Sequence, residues 1–256
     1  MIGIIKGDVR YTHLSQLLND SILSDKLVDF IGIDRLILPF GGIDNNNIIK
    51  GTNINILDII KSNCIKYIIT GNANAVLINI CNEYKIDLYE LLKDDVFVSD
   101  NAFLTAKGLL YLIHEKDTEI SDLKVLILGY GNIGFHLCKL LKAIDSSFDV
   151  YTANKLEAKY ARLEGYNVIE NVNEKYDIII NTIPNIVPID CSYLVGSRVI
   201  DVASFPYGFN IDDVIKNNIK YEIISAIPSK YASYSAAKII KNFMENIENN
   251  ENIVYN

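Results

Sequence analysis

Apolar residues fall in two rhythms along this chain. Short continuous runs such as "IGII" (2–5), "KYIITG" (66–71) and "KVLIL" (124–128) alternate with stretches whose apolar residues recur every three or four positions, as in "HLSQLLNDSIL" (13–23) and "NAVLINICNEY" (74–84). The first rhythm predicts strands and the second one-sided helices. In the first hundred residues it places strands at 2–5, 26–32, 35–40, 66–71 and 95–99. The glycine- and asparagine-rich stretch 41–53 reads as a mobile loop over one edge.

The second half is more regular. A linking helix is expected over 101–117, with Asn101 or Thr105 as its cap, followed by strands at 124–128, 148–152, 167–169, 176–182, 198–203 and 220–226 and a helix over 154–165. Continuous apolar strands imply sheets covered on both faces. The fold class is therefore α/β: two doubly wound α/β domains, at 1–100 and 101–230, the second a Rossmann domain. A C-terminal helix over 231–250 is free to return to the first domain before a polar, acidic end that frays.

Composition narrows the partners. The 256 residues are half apolar and carry a formal charge of −8, without a basic stripe, which argues against nucleic acid. The apolar runs are interrupted by charges and the start lacks an apolar signal core, so no membrane span is expected and the chain reads as cytoplasmic. Cys64, Cys81, Cys138 and Cys191 lie far apart, without ligand-like histidine spacing, so they are expected to be reduced and no metal site is expected.

The densest chemistry lies in "VLILGYGNIGFHLCKLL" (125–141). Gly129, Gly131 and Gly134 form a GxGxxG pattern between a strand and a helix, the context in which it holds a dinucleotide. Gly129 permits the turn, Gly131 the approach of a pyrophosphate, and Gly134 close helix packing, with Asn132 and Ile133 offering N–H groups at the helix start. The other reading is a turn that uses glycine only for packing. The second strand ends at Thr152, Ala153, Asn154 and Lys155 with no acid to take the ribose hydroxyls, which favours NADP over NAD, with Lys155 and Thr152 toward the extra phosphate; the alternative is Lys155 as a solvated first-turn lysine. Thr182 and Pro184 in "NTIPN", and Asp201, Ala203 and Ser204 in "DVASFPYG", should rim the same crevice. Asp201 has the alternative of a loop cap.

In the first domain "KGDVRY" puts Asp8, Arg10 and Tyr11 after the first strand, where Arg10 could clamp a carboxylate or simply pair with Asp8. Ser229, Lys230 and Ser235 could meet a second anionic group, or Ser229 could cap the last helix. His13 lies one turn beyond Arg10 and is a candidate general base. His114 and His136 are better explained by packing or exposure.

Taken together, "GDVR" at Gly7–Arg10, "RLILPF", "TGNANAVL" (70–77), "NAFLTAKG" at Asn101, Thr105 and Gly108, and "NTIP" at 181–184 resemble, in order and spacing, the A-subunit family of dipicolinate synthase, the sporulation oxidoreductases of spore-forming bacteria. Where that family has a glycine- and proline-rich turn before the last helix, this chain has "SAIPSKYASYSA". The resemblance implies oxidation of dihydro- or hydroxytetrahydrodipicolinate, a lysine-pathway branch compound, to dipicolinate with NADP or NAD. It also implies partnership with a flavoprotein-like B chain, the second component of dipicolinate synthase, a place in the mother cell, and a possible homo-oligomer. Substrate contacts would fall to Arg10, Tyr11, Asn101, Thr105, Ser229 and Lys230, and the ring proton to Asp8 or His13. Two readings stay open beside it: another two-domain amino-acid or hydroxy-acid dehydrogenase, and a non-catalytic nucleotide-sensing or scaffolding protein.

Overall fold

A computed structural model describes residues 1–114 and 119–254. Its two units are residues 1–101 with 228–256, and residues 102–227. The tail of the expected linking helix, 115–117, lies outside the described residues.

Unit 1 is built on a parallel sheet of β1 (Ile2–Ile5), β2 (Ser21–Ser24), β3 (Arg35–Ile37), β4 (Tyr67–Thr70) and β5 (Asp87–Glu90) in the order β2-β1-β3-β4-β5. The central strands are apolar and buried on both faces. On one side pack α2 (Ile56–Ser62) and α3 (Ala75–Tyr84); on the other, α1 (Val9–Leu17) and α9 (Ser233–Val254). The C-terminal helix thus belongs to the first unit: Ala237, Ile240, Met244 and Ile247 line one face of α9 and join Ile4, Leu14 and Ile69 in a single core. Arg35 and the Tyr67 hydroxyl both donate to Glu248, at 2.7 and 3.0 Å. Each fully buried Ile or Met there contributes about 2 kcal/mol. The helix runs through Val254, so the end expected to fray is helical to that point.

Several expectations fail in this unit for local reasons. Residues 26–32 form no strand. A 3-10 turn at Leu27–Asp29, tied by the Ser24 hydroxyl to Asp29, runs into Gly32 at a φ of +74°, and the paired strand is the short β2 before it. Residues 95–99 open α4 (Asp95–Ile113) instead, because the Asp94 carboxylate accepts the Phe97 N–H at 2.7 Å. Asn101 and Thr105 therefore lie inside the helix and not at its start. By length and composition α4 would pass as a membrane span, with mean hydropathy 1.3, and half of it is buried within the protein. Stretch 41–53 is anchored: Ile43 and Ile49 enter the core, and Asp44 accepts two backbone N–H groups at 2.8 Å.

Unit 2 is a six-stranded parallel sheet of β6 (Val125–Leu128), β7 (Phe148–Tyr151), β8 (Asn167–Ile169), β9 (Ile178–Asn181), β10 (Arg198–Asp201) and β11 (Lys220–Ile223). Its order is β11-β10-β9-β6-β7-β8. Order reverses between β6 and β9, the switch point outside which such sheets bind ligands. Helix α5 (Asn132–Ala143) follows β6, α6 (Lys155–Leu163) follows β7, and α7 (Ile211–Lys216) precedes β11. Helix α8 (Ile227–Tyr231) leads back into unit 1. Buried Leu137, Cys138 and Leu141 seat α5 on the sheet. Cys81 and Cys138 are buried packing thiols and Cys64 is exposed; all four cysteines are free.

Candidate functional site

The glycine loop lies at the switch point of unit 2, and each glycine has a different reason. Gly129 has φ +98°, and a Cβ there would meet the Thr182 hydroxyl oxygen at the end of neighbouring β9. At Gly134 a Cβ would lie 2.1 Å from the Gly129 carbonyl oxygen, so helix and loop touch through backbone alone. At Gly131 it would meet nothing within 4 Å. That glycine borders open space in front of α5.

Helices α1, α2, α3, α6 and α7 are capped by the side chains of Asp8, Asn55, Asn74, Asn154 and Asn210. No side chain caps α5, whose N-cap is Gly131. The first-turn N–H groups of Asn132, Ile133 and Gly134 and the positive end of the helix dipole therefore face that open space, a setting that fits a pyrophosphate. Tyr130 turns the other way: its ring is buried against Phe135 and Tyr166, and it pins the loop to the core.

The rim is held by internal hydrogen bonds. Thr182 donates both its N–H and its hydroxyl to the Leu128 carbonyl, at 2.8 Å each. The buried Asn181 side chain bridges the N–H and carbonyl of Ile183, while Pro184 is exposed. Asp201 is fully buried, and its carboxylate accepts from Ala203 N–H at 2.9 Å, Gly208 N–H at 2.8 Å and the Tyr221 hydroxyl at 2.6 Å. With its acceptors engaged it shapes the 203–208 turn, the loop-cap alternative, and is not a ligand contact. Ala203 is half-buried and Ser204 exposed on that turn.

Beside the loop stands a residue that sequence reasoning missed. The Glu157 carboxylate, in the first turn of α6, accepts the Tyr130 N–H at 3.2 Å and the Thr152 hydroxyl at 2.7 Å. Asn154 spends its side-chain oxygen capping α6, and Lys155 is exposed. The available signal was the asparagine followed three residues later by glutamate, a capping-box spacing.

In unit 1 the carboxyl edge of the sheet carries a second cluster. Asp8 caps α1, and its carboxylate takes Arg10 Nε at 2.8 and 3.0 Å and Nη2 at 2.8 Å. Arg10 is only 5% exposed and stacks on Phe40 with 4.5 Å to the ring centre, so this is a built ion pair and not a loose surface one. Nη1 makes no hydrogen bond to any described residue. Burial alone would raise the Asp8 carboxyl, but Arg10 and then the Ser229 hydroxyl outweigh it and hold it below its ordinary value of 3.8.

The sign of the pH effect follows. The pair's contribution to stability is complete above about pH 4 and is lost as pH falls through the lower folded value. Urea unfolding followed from pH 5 to pH 2 should show an acid limb, to which Asp34 and Glu90 also contribute, and Asp8→Asn should make it shallower.

The remaining predicted residues do not gather at one point. Tyr11 is a core residue, 2% exposed, with its hydroxyl buried. His13 sits with its ring edge-on to Tyr234 and near Gln16. Ser229 is buried within α8 with its hydroxyl toward Asp8; Lys230 and Ser235 are exposed. Thr105 is buried in α4. His136 packs against Phe103, and His114 is exposed at the end of α4. Among the described residues no group of histidine, cysteine or carboxylate side chains could hold a metal.

No protein-family model and no curated protein matches the chain. Solved structures do. The chain is similar to the A chain of dipicolinate synthase from Bacillus halodurans, at 21% identity over 96% of each chain and a TM-score of 0.78. It is equally similar to the A chain of the same enzyme from Bacillus subtilis, at 21% identity over 97% of this chain and 95% of that one, TM-score 0.79. Apo D-lactate dehydrogenase from Escherichia coli shares the fold at 11% identity over 98% and 97%, TM-score 0.64. The chain shares the α/β fold of these structures.

Proposed function

We propose that this chain is an NAD(P)-dependent oxidoreductase of the dipicolinate synthase A-chain type, converting a dihydro- or hydroxytetrahydrodipicolinate to dipicolinate in the cytoplasm of a sporulating cell. The observation that carries the oxidoreductase reading is the Gly129–Gly134 loop, with open space at Gly131 before an uncapped helix end. The substrate assignment is supported by the end-to-end likeness to the two dipicolinate synthase structures and by the buried guanidinium of unit 1.

When bound, the nicotinamide cofactor supplies a hydride acceptor. The chain's own part is to bind and orient. Asn132, Ile133 and Gly134 offer N–H groups to the pyrophosphate, and the Thr182 and Asp201 turns fix the walls of the crevice. A ring dicarboxylate needs a cation, and Arg10 meets that need: Asp8 holds Nε and Nη2 while Nη1 stays available for a carboxylate oxygen. Held deprotonated below its usual value, Asp8 is a weak base, so in this reading it positions Arg10 instead of taking the ring proton. A flavoprotein-like B chain is proposed as partner.

The test supplies freshly generated hydroxytetrahydrodipicolinate with NAD or NADP and follows the ultraviolet absorbance of the pyridine product, with this chain alone and with a B chain. Product that depends on both cofactor and this chain supports the reading. The same rate from the B chain alone would make this chain a scaffold or sensor.

A further inference from the structure

We infer that Glu157 makes the glycine-loop site select NAD over NADP. The inference rests on the dinucleotide reading above and reverses the cofactor choice that strand-end residues 152–155 favour. Those residues carry no acid, but the acid arrives from the next turn of chain.

Asn154 caps α6, which makes Glu157 the third residue of the helix. In an ordinary capping box that glutamate reaches back to the cap's own N–H. Here the cap N–H goes to the Thr152 hydroxyl oxygen at 3.2 Å, and Glu157 points across to the loop. Its Oε2 accepts from Tyr130 N–H and the Thr152 hydroxyl, two bonds that fix the carboxylate against the residue between the first two glycines. Among the described residues its Oε1 receives only the Asn154 amide, at a long 3.5 Å. A carboxylate oxygen has room for two good hydrogen bonds, so Oε1 keeps acceptor capacity at the end of the second strand of a Rossmann unit.

That is where the adenosine ribose lies when a dinucleotide occupies such a loop. The vicinal hydroxyls of NAD would find a fixed acceptor. The 2′-phosphate of NADP would bring two negative charges against a tethered carboxylate, and the nearby cation, Lys155, is exposed, where water and salt screen it.

The experiment titrates the full chain with NADH and with NADPH and follows the fluorescence of the reduced nicotinamide, a binding readout that needs no turnover. Wild type should bind NADH about tenfold tighter or more. Glu157→Gln keeps an oxygen for Tyr130 and Thr152, and should narrow the gap to about threefold or less, chiefly through weaker NADH binding. A thermal melt confirms that the variant is folded, and the wild-type ratio tests the inference without any variant. Equal or tighter NADPH binding by wild type would overturn it. So would a variant that weakens both cofactors alike, since Glu157 would then only prop the loop. If neither cofactor binds, the dinucleotide reading falls and takes this inference with it, a result unlike the other two.

Discussion

Gly131→Ala is expected to cost about 100-fold or more in dinucleotide affinity, some 2.7 kcal/mol, while the protein melts within about 4 °C of the parent. Backbone at this position is extended, with φ −75° and ψ −162°, so alanine adopts it without strain. Its methyl would touch no protein atom within 4 Å, so nothing in the folded chain resists it. Replacing a glycine by alanine at a helix N-cap costs up to about 1 kcal/mol, which is within the melting shift given above. The new carbon occupies the space in which a pyrophosphate must come close to the N–H groups of α5. Titration of NADH beside a circular-dichroism melt separates the two effects. Retained affinity would mean that the open space before α5 does not receive the phosphates.

Three residues on, the same substitution should do the opposite kind of damage. In Gly134→Ala the Cβ falls 2.1 Å from the Gly129 carbonyl oxygen and 3.0 Å from its carbon, both backbone atoms that no rotamer change can move. Relief requires α5 to lift from β6, which disturbs the seating of Leu137, Cys138 and Leu141, each fully buried. A cost of about 3 kcal/mol or more is expected, a drop of about 6–12 °C in Tm. Cofactor binding should be lost as well, because the loop and the helix start move together. A variant that melts like the parent would show that the helix and loop do not touch as described.

The contrast between these glycines was legible in the sequence because GxGxxG between a strand and a helix constrains all three positions at once. The strands at the heart of unit 2 were legible for a related reason: β6 and β9 are continuous apolar runs, each ended by a turn residue. Unit 1 was harder to read. Strand β2, "SILS", is four residues attached to the end of a helical pattern, and β5, "DLYE", is half polar, so neither departs from its surroundings in period. "DVFVS" is rich in β-branched residues, yet the capping Asp94 just before it decides for helix. In the site, residue types at the strand end can be read off directly, but not which way a side chain one turn later will point. Glu157 was overlooked for that reason. Burial was invisible too: nothing in "GDVR" says that Arg10 would lie under Phe40, and nothing in "DVASFPYG" says that Asp201 would lie beneath its own turn.

Unit 1 is assembled from both ends of the chain, with all of unit 2 inserted between, and the Arg35–Glu248 ion pair closes 213 residues. During synthesis the ribosome therefore finishes the inserted unit first. Until α9 emerges, the apolar face of Ile4, Leu14 and Ile69 has no cover, and an early terminator or a protease cut near Pro228 would leave it open to aggregation or chaperone capture. The cover of that face therefore depends on translation through α9.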